Sequence, residues 1–424
     1  RSGSASAGFI TVEPAAGAAP VVDGTGLGIP NGQNGLFTIS SASYVRIKGF
    51  EIRNYVSGNT NVPCGIYVEG AGSHIEILGN HIHNITTTLK TTAGDALGIA
   101  IYGTEAPAAI TWLTIDGNEL DDLTTGYSES LSLSGNVTRW QVTDNLIHDN
   151  DNIGINIEGF YQTAPDPTYD QARNGLVAGN TVYNITSKNN PSYGGSLGAD
   201  GIYLSGAASV TVAQNLVYQT DYGIELASEI HGRATSNSLV HDNVIHHSYL
   251  SGITIGGADQ TQNGGTTGCT IANNTLFEND TTQSGSGEIQ IQYNASANSF
   301  LNNIAYANAQ GLLVNFFSTS ATRPANFDNN LYYSPAGNAG SQWIWRNVTY
   351  NGFAAYQAGA GNDAHGRFAD PQFLSLTTPN LNVAGTSPAI NHGRNLGLLR
   401  QGKVDFAGNP RTVGTTVDIG AYEH

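Results

Sequence analysis

The segment GIELASEIHGR, residues 223–233, concentrates side chains that could do chemistry. Carboxylates and an imidazole can transfer protons or hold a cation, and a guanidinium can neutralise an anion. The chain is poor in positive charge, with 16 Lys and Arg against 33 Asp and Glu. We therefore interpret this segment as part of a candidate site. Its ionisable residues are Glu225, Glu229, His231 and Arg233.

The sparse cations of the middle of the chain coincide with its long insertions. Between Arg139 and Arg323, each Lys or Arg falls in one such segment, and long loops on a rigid scaffold commonly carry function. We expect these cations to gather around one groove, where a bound anion or an abstracted proton would need them. Arg173 lies in the insertion at 160–174, Lys188 in the insertion at 187–200 and Arg233 in the insertion at 228–237.

The elements that position these residues follow from a repeat. Its first motif is an apolar residue, two variable residues, Asn and an apolar pair, as in ILGNHI and VTDNLI. Hydrophobic residues alternate with period two, which indicates short strands rather than helices. Asparagines at equivalent turns of stacked strands can form a hydrogen-bonded ladder, so we predict a structural role for them. They are Asn80, Asn118, Asn145, Asn180, Asn215, Asn243, Asn274, Asn303 and Asn330.

A second motif, Gly, apolar, variable, apolar, precedes most of these asparagines. Its apolar positions face inward, so the variable third and the fifth positions face outward. On the middle turns the outward positions carry amide, hydroxyl and carboxylate groups, which suit contacts with sugars. In consecutive repeats near the end of the series, the residue at the third position is Gln290 and then Leu313. The residues singled out for substrate binding are Asn156, Glu158, Tyr203, Glu225, Gln290 and Gln292 on the strands, with Arg173 and Glu229 in the insertions.

Composition excludes some classes of function. The net charge of −17 disfavours nonspecific nucleic-acid binding, and no apolar run is long enough for a membrane span. Cys64 and Cys269 lie about six turns of the repeat apart, roughly 30 Å, whereas a disulfide needs Cα atoms within about 7 Å. We therefore predict two free thiols, which do not reveal the compartment, and we expect a monomer without nucleic-acid or membrane partners.

The repeat resembles the right-handed parallel β-helix superfamily of pectate-lyase-like proteins. The resemblance implies an all-β fold, a single solenoid of roughly ten turns with a cap at each end. We place an N-terminal cap and first turn at 1–36, the β-helix at 37–335 and a C-terminal capping segment at 336–424. The final stretch, DFAGNPRTVGTTVDIGAYEH, resembles the closing segment of secreted bacterial β-helix proteins, which implies that this protein is secreted.

The resemblance extends to a reaction. NPSYGG and GIELASEIHGR resemble stretches of β-helix alginate lyases, which implies a polysaccharide lyase acting on a uronic-acid glycan by β-elimination. In such enzymes a Tyr and a basic residue share the acid and base roles, which we carry over to Tyr193 and to His231 or Arg233. Lys188 and Tyr203 are further candidates for proton transfer. The candidates for neutralising the substrate carboxylate are Ca²⁺ and the side chains of Asn156, Gln290, Gln292, Arg173 and Arg233.

Two alternatives stay open. A glycoside hydrolase needs two carboxylates about 5–5.5 Å or about 6.5–9.5 Å apart. Glu225 could pair with Glu229, or with Glu158 at about 12 Å between Cα atoms by strand spacing. The third reading is a glycan-binding β-helix without catalysis. The cluster of several Asp that marks a calcium site in pectate lyases is absent from the sequence; Asp149 and Asp151 are the nearest candidates, and turn capping explains them better.

Overall fold

The computed structural model describes residues 1–320 and 323–424, which form two compact units, Arg1–Val210 and Thr211–His424. Short strands dominate the first unit, as the period-two pattern predicts. Its one helical element is a 3₁₀ turn at Ser187–Asn189. The strands are β1 (Ile10–Val12), β2 (Val21–Asp23), β3 (Gln33–Ser40), β4 (Val45–Lys48), β5 (Glu51–Ser57), β6 (Val62–Glu69), β7 (Gly72–Leu78), β8 (His81–Thr87), β9 (Leu97–Gly103), β10 (Ile110–Asp116), β11 (Glu119–Asp121), β12 (Leu131–Gly135), β13 (Val137–Thr143), β14 (Leu146–Asn150), β15 (Ile155–Glu158), β16 (Arg173–Ala178), β17 (Thr181–Ile185) and β18 (Asp200–Ser205).

Every third strand of the first unit pairs in parallel, so successive coils stack on one another. The first sheet contains β1, β4, β7, β10, β13 and β16. The second contains β2, β5, β8, β11, β14 and β17, and the third contains β3, β6, β9, β12, β15 and β18. This arrangement is the parallel β-helix that the repeat predicts.

Aliphatic rows fill the interior of the first unit. On the second sheet, the residues of one inward row pair in register and are fully buried, so each coil covers the apolar face of the next. Packing of this kind explains why the inward positions of the motif are Ile, Leu or Val. The row is Ile52, Ile82, Leu120, Ile147 and Val182.

The predicted asparagine ladder is confirmed. In the first unit, Nδ2 of Asn80 donates to Oδ1 of Asn118 at 3.0 Å, and the same bond continues to Asn145 and Asn180 at 3.0 and 2.9 Å. The residue before each of these asparagines has positive φ, a conformation that Gly and Asp tolerate better than other residues. That preference explains the Gly or Asp in the motif.

The second unit repeats the plan. Its helices are α1 (Gly337–Gly340), α2 (Phe353–Ala360) and α3 (Leu398–Gln401). The strands described in it are β19 (Thr211–Ala213), β20 (Leu216–Thr220), β21 (Tyr222–Ala227), β22 (Ala234–Ser236), β23 (Leu239–His241), β24 (Val244–His246), β25 (Ile253–Ile255), β26 (Gly265–Thr267), β27 (Thr270–Ala272), β28 (Thr275–Phe277), β29 (Ile289–Ile291), β30 (Ala295–Ser296), β31 (Asn298–Leu301), β32 (Ile304–Tyr306), β33 (Leu312–Phe316), β34 (Ala325–Asp328), β35 (Leu331–Tyr333), β36 (Gln342–Trp345), β37 (Val348–Asn351), β38 (Arg367–Phe368), β39 (Phe373–Ser375) and β40 (Asn380–Val383).

Three parallel stacks again form the body of this unit. They are β19-β23-β27-β31-β34, β20-β24-β28-β32-β35-β38, and β21-β25-β29-β33-β36, to which β37 adds an antiparallel edge. A small sheet of β22, β26 and β30 lies in the insertions, and β39 pairs with β40. Because β36 and β38 join the stacks, parallel coils continue beyond residue 335, into the segment expected to act as a cap.

The last residues of the chain cover the second stack of this unit. Phe406, Ala421 and Tyr422 pack with Phe277 and Tyr306 in one apolar cluster. The ladder also continues here, from Asn215 through Asn330, with bonds of 2.9 to 3.0 Å between side chains. It ends on the buried carboxylate of Asp363, which accepts from Asn330 at 2.8 Å.

Candidate functional site

The outward face of the third sheet in the first unit carries a buried polar row. Asn156 and Glu158 point outward from β15, while Ile155 and Ile157 belong to the core. The parallel register places Ser132 of β12 on one side of Asn156 and Tyr203 of β18 on the other. Three of the predicted substrate residues, Asn156, Glu158 and Tyr203, therefore lie on one face, whereas Arg173 lies on β16 of the first sheet.

Two polar atoms of this row have no protein partner. Nδ2 of Asn156 donates to Oε1 of Glu158 at 2.7 Å, which turns the amide oxygen away from that carboxylate. This Oδ1 and the hydroxyl of Ser132 make no hydrogen bond to the described residues, although Asn156 is 2% exposed and Ser132 is fully buried. Buried polar atoms are normally satisfied, so both atoms are available to water, an ion or a ligand.

Tyr102 on β9 adds a hydroxyl group to the same face. Burial, together with the carboxylates of Glu158 and Glu129, raises the pKa of Tyr102 well above its usual range, and a hydrogen bond to Gln33 opposes that rise. The hydroxyl is therefore protonated at neutral pH and can donate a hydrogen bond. Glu129, which immediately precedes Ser130 and β12, is 9% exposed.

The polar row ends at an apolar cluster toward the start of the sheet. Tyr102 packs at the edge of this cluster, and its ring meets that of Tyr67 edge-on at 6.0 Å. Both cysteines of the chain are buried and free, as predicted, and burial raises the pKa of the Cys64 thiol above its usual range. The cluster consists of Val62, Cys64, Tyr67, Leu97 and Ala100.

The strands of this face have an unusual charge pattern. Within the first unit, which the structure describes throughout, the strands of the third sheet contain no Lys or Arg. They carry the acidic residues Glu69, Glu158 and Asp200. Cations for an anionic substrate must therefore come from loops or from a bound metal ion.

The insertion at 187–200 lies beside the start of β12. The Tyr193 ring packs against Tyr127 at 5.6 Å between centroids, and Tyr127 is two residues before Glu129. Nδ2 of Asn190 ties the loop to the carbonyl groups of Gly126 and Asp151. The structure thus places Tyr193 against Tyr127, and its acid–base role stays a prediction. Lys188 is exposed in the 3₁₀ turn.

Arg173 contributes to the insertion at 160–174. Its guanidinium donates to the carbonyl groups of Tyr169 and Gln171 at 3.4 and 2.8 Å, and to Oδ1 of Asn136 at 2.9 Å. Burial lowers the pKa of Arg173. These bonds brace the loop on β16, so Arg173 has a structural role beside the substrate-binding role predicted for it.

The second unit carries its own polar row. Glu225, Thr254 and Gln290 follow one another in register on β21, β25 and β29. The sequence motif predicts that Leu313 follows Gln290 in this row, but in the structure Asn315 lies opposite Gln290. The reason is that Val314 and Phe316 occupy the core positions opposite Ile289 and Ile291.

Amides dominate the end of this row. Gln292 donates to Oε1 of Gln290 at 3.3 Å, and Asn315 donates to the carbonyl of Gly285 at 2.7 Å. The oxygens of the Gln292 and Asn315 amides have no hydrogen-bond partner among the described residues, although both side chains are largely buried. Such atoms suit the hydroxyl groups of a sugar.

The opening segment GIELASEIHGR divides between a strand and a turn. Glu225 is buried on β21, whereas Glu229, His231 and Arg233 are exposed in the turn that leads to β22. The structure thus separates these residues by burial, and their catalytic roles stay predictions.

Tyr102, Glu129 and Ser132 were not chosen from the sequence. Tyr102 and Ser132 stand at outward positions of the motif, but nothing in the sequence reports that their surroundings are buried.

Comparison with known proteins supports the fold. Pectate lyase Pel9A matches with a TM-score of 0.52 at 13% identity, covering 96% of this chain and 86% of that chain. An alginate lyase from Paenibacillus sp. str. FPU-7 has a TM-score of 0.42 at 14% identity, covering 70% of this chain and 93% of its own. The Streptococcus pneumoniae surface adhesin PfbA has a TM-score of 0.47 at 11% identity, covering 74% and 85%.

Pel9A therefore confirms the parallel β-helix fold of pectate-lyase-like proteins. No helix in the described residues is long and apolar enough to cross a membrane. No protein-family model matches the chain. A curated relative is 34% identical over 371 residues, which are 87% of this chain and 77% of the relative. The chain thus belongs to the same family as the uncharacterized protein YwoF of Bacillus subtilis (strain 168).

Proposed function

We propose that the protein is a secreted polysaccharide lyase that cleaves a uronic-acid glycan, alginate-like or another polyuronate, by β-elimination. The observation that carries the proposal is the buried polar row, in which Ser132 and Asn156 present unsatisfied oxygens beside the carboxylate of Glu158. The fold shared with pectate lyase Pel9A gives this chemistry a known type of scaffold.

β-Elimination needs a neutralised C6 carboxylate, a base for the C5 proton and an acid for the leaving oxygen. The third-sheet strands of the first unit lack cationic side chains, so a metal ion is the neutralising group most compatible with this face. Carboxylate, amide and hydroxyl oxygens are the donors that Ca²⁺ prefers, and Glu158, Asn156 and Ser132 supply them. When bound, Ca²⁺ would supply charge neutralisation at the substrate carboxylate.

The residues of the chain supply the proton transfers. Tyr102, which lies opposite Ser134 on the third sheet, is the residue that we assign to protonate the leaving oxygen. Tyr193, His231, Arg233 and Lys188 are the candidates for the base, and among these Tyr193 packs beside the loop that leads to Glu129. Gln290, Gln292 and Asn315 of the second unit have amides suited to sugar hydroxyls.

A second candidate is a glycoside hydrolase. Its support is that Glu129 and Glu158 both perturb Tyr102, which gives two carboxylates around one hydroxyl group. Such a pair can act as acid and base or nucleophile. Glu225 remains the carboxylate of the second unit for this reaction.

One assay separates the two. The protein is incubated with alginate, polygalacturonate, glucuronan and neutral glycans, with and without EDTA, while ultraviolet absorbance of unsaturated uronide and new reducing ends are measured. A lyase gives both signals on a polyuronate, and EDTA abolishes them. New reducing ends without absorbance indicate the hydrolase. Binding without any product indicates a glycan-binding β-helix.

A further inference from the structure

A second cluster of functional groups lies on the outward face of the second sheet in the first unit. The parallel register places His81 of β8 opposite Glu119 of β11, and His83 opposite Asp121. Asp121 is two residues after Glu119, so both carboxylates point to the same face as His81. The imidazole and the two carboxylates thus project from neighbouring strands of a rigid stack.

The ligand atoms of this cluster converge. One atom each from His81, Glu119 and Asp121 lies within 4.8 Å of the others, and Nε2 of His81 is 2.6 Å from Oδ1 of Asp121. The side chain of His81 is 41% exposed, that of Glu119 43% and that of Asp121 16%. The site is therefore open on one side, where water can complete the coordination of an ion.

A neighbouring imidazole orients one of the two carboxylates. Nε2 of His148 is 3.3 Å from Oε1 of Glu119, and Nδ1 of His148 is 2.6 Å from Asp149. His83 contacts Glu51 at 3.3 Å on the other flank. Such contacts are typical of the groups that surround a metal ligand set. The surrounding carboxylates make this face favourable for a cation.

We propose that His81, Glu119 and Asp121 bind a divalent transition-metal ion, with Zn²⁺ as the representative. An imidazole nitrogen in the set favours Zn²⁺, Co²⁺ or Ni²⁺ over Ca²⁺ and Mg²⁺, which take oxygen ligands. Tetrahedral coordination at about 2.0 Å from each ligand atom requires separations of about 3.3 Å, which small side-chain rotations reach from the observed arrangement.

The bound ion joins two adjacent coils. Because β8 and β11 are consecutive strands of the second sheet, the ion replaces the hydrogen bond between His81 and Asp121 with bonds that also hold Glu119. A ligand that binds only the folded state raises thermal stability by mass action. The site is independent of the polysaccharide reaction proposed above, and its test does not use activity.

The test begins with metal-free, full-length protein. Zn²⁺ is titrated by calorimetry, and Co²⁺ is added as a spectroscopic probe whose absorption reports nitrogen and oxygen ligands. We expect one Zn²⁺ site in the micromolar range and a Zn²⁺-dependent rise in melting temperature. His81→Ala and Asp121→Asn should each weaken binding at least tenfold, because each removes a ligand. These positions are on the surface, so the variants are expected to fold.

The matched control is His365→Ala. Nδ1 of His365 pairs with Asp328 at 2.9 Å in the second unit, an exposed imidazole–carboxylate pair that does not belong to the three-ligand cluster. Its loss should leave the affinity and the Co²⁺ spectrum unchanged. Zn²⁺ binding that is equally strong in His81→Ala, or no binding below millimolar concentration, would overturn the proposal.

Discussion

Asn156 donates a hydrogen bond of 2.7 Å to Glu158, two residues further along the same strand. This bond fixes the amide, whose oxygen is buried and has no hydrogen-bond partner among the described residues. Removing the charge of Glu158 should therefore alter both the orientation of Asn156 and the affinity for a cation.

We expect Glu158→Gln to lower kcat/KM on the polyuronate by about 10²-fold or more, because a preorganised charge is lost from the reacting site. Steady-state kinetics over a Ca²⁺ series measure it. Glu76→Gln is the control, since Glu76 pairs with Arg46 on the first sheet. Equal activity of the two variants would exclude Glu158 from the site.

Tyr102→Phe should lower turnover by about 10²- to 10³-fold, because the proton donor is removed, and should change the melting temperature little, because only the hydrogen bond with Gln33 is lost from the fold. Tyr44→Phe serves as the control, because the Tyr44 ring stacks on His74 at 4.3 Å in the turn before β4 and is not part of the polar row. A Tyr102→Phe variant with normal turnover would move the acid role to another residue.

The asparagine ladder predicts a large effect on stability. Asn274→Ala removes the acceptor of Asn243 and leaves buried backbone groups unpaired, such as the Val240 carbonyl at 3.0 Å. The expected loss is about 2–4 kcal/mol in the free energy of unfolding, measured by chemical denaturation. Asn326→Ala, at an exposed strand position, should change it by less than about 0.5 kcal/mol. Similar losses in both variants would contradict the ladder's role.

Glu288 predicts a pH dependence of stability. Burial raises the pKa of this carboxyl to about 8 despite hydrogen bonds from Asn279. The folded protein therefore holds a proton that the unfolded chain releases near pH 4.5, so stability falls as pH rises from about 4.5 to 8. Melting temperatures of the wild type and Glu288→Gln across this range measure it. The variant should show the shallower decline, and parallel curves would refute the shift.

Repetition explains why the fold was predictable. Each coil uses the same apolar positions and the same ladder asparagine. A coil whose own motif is weak can therefore be assigned from the spacing of the motifs in its neighbours. Asn80 and Asn118 were assigned from spacing alone, and their side-chain bond confirms the assignment. The outward position predicted for Leu313 is wrong, because the pairing of β33 with β36 shifts register between Leu312 and Val314 and interrupts the regular motif.

The site was less predictable because burial depends on loops. Glu129 precedes the strand motif, so the alternation of apolar and polar residues does not single it out. Its carboxylate nevertheless helps to raise the pKa of Tyr102. Arg173 was chosen for its charge, but the backbone carbonyls of its own insertion satisfy much of its guanidinium. Such local contacts are invisible in a count of charges.

In the first unit, the charged residues on the strands of the third sheet are all acidic, and this affects the rate at which a charged substrate associates. An anionic polysaccharide approaching that face meets Glu69 and Glu158 without a compensating Lys or Arg on the strands. At low ionic strength the two repel each other over a Debye length of about 10–30 Å, and added salt shortens that range. The encounter rate with a polyuronate should thus increase with ionic strength, opposite to the behaviour of an enzyme with a cationic cleft.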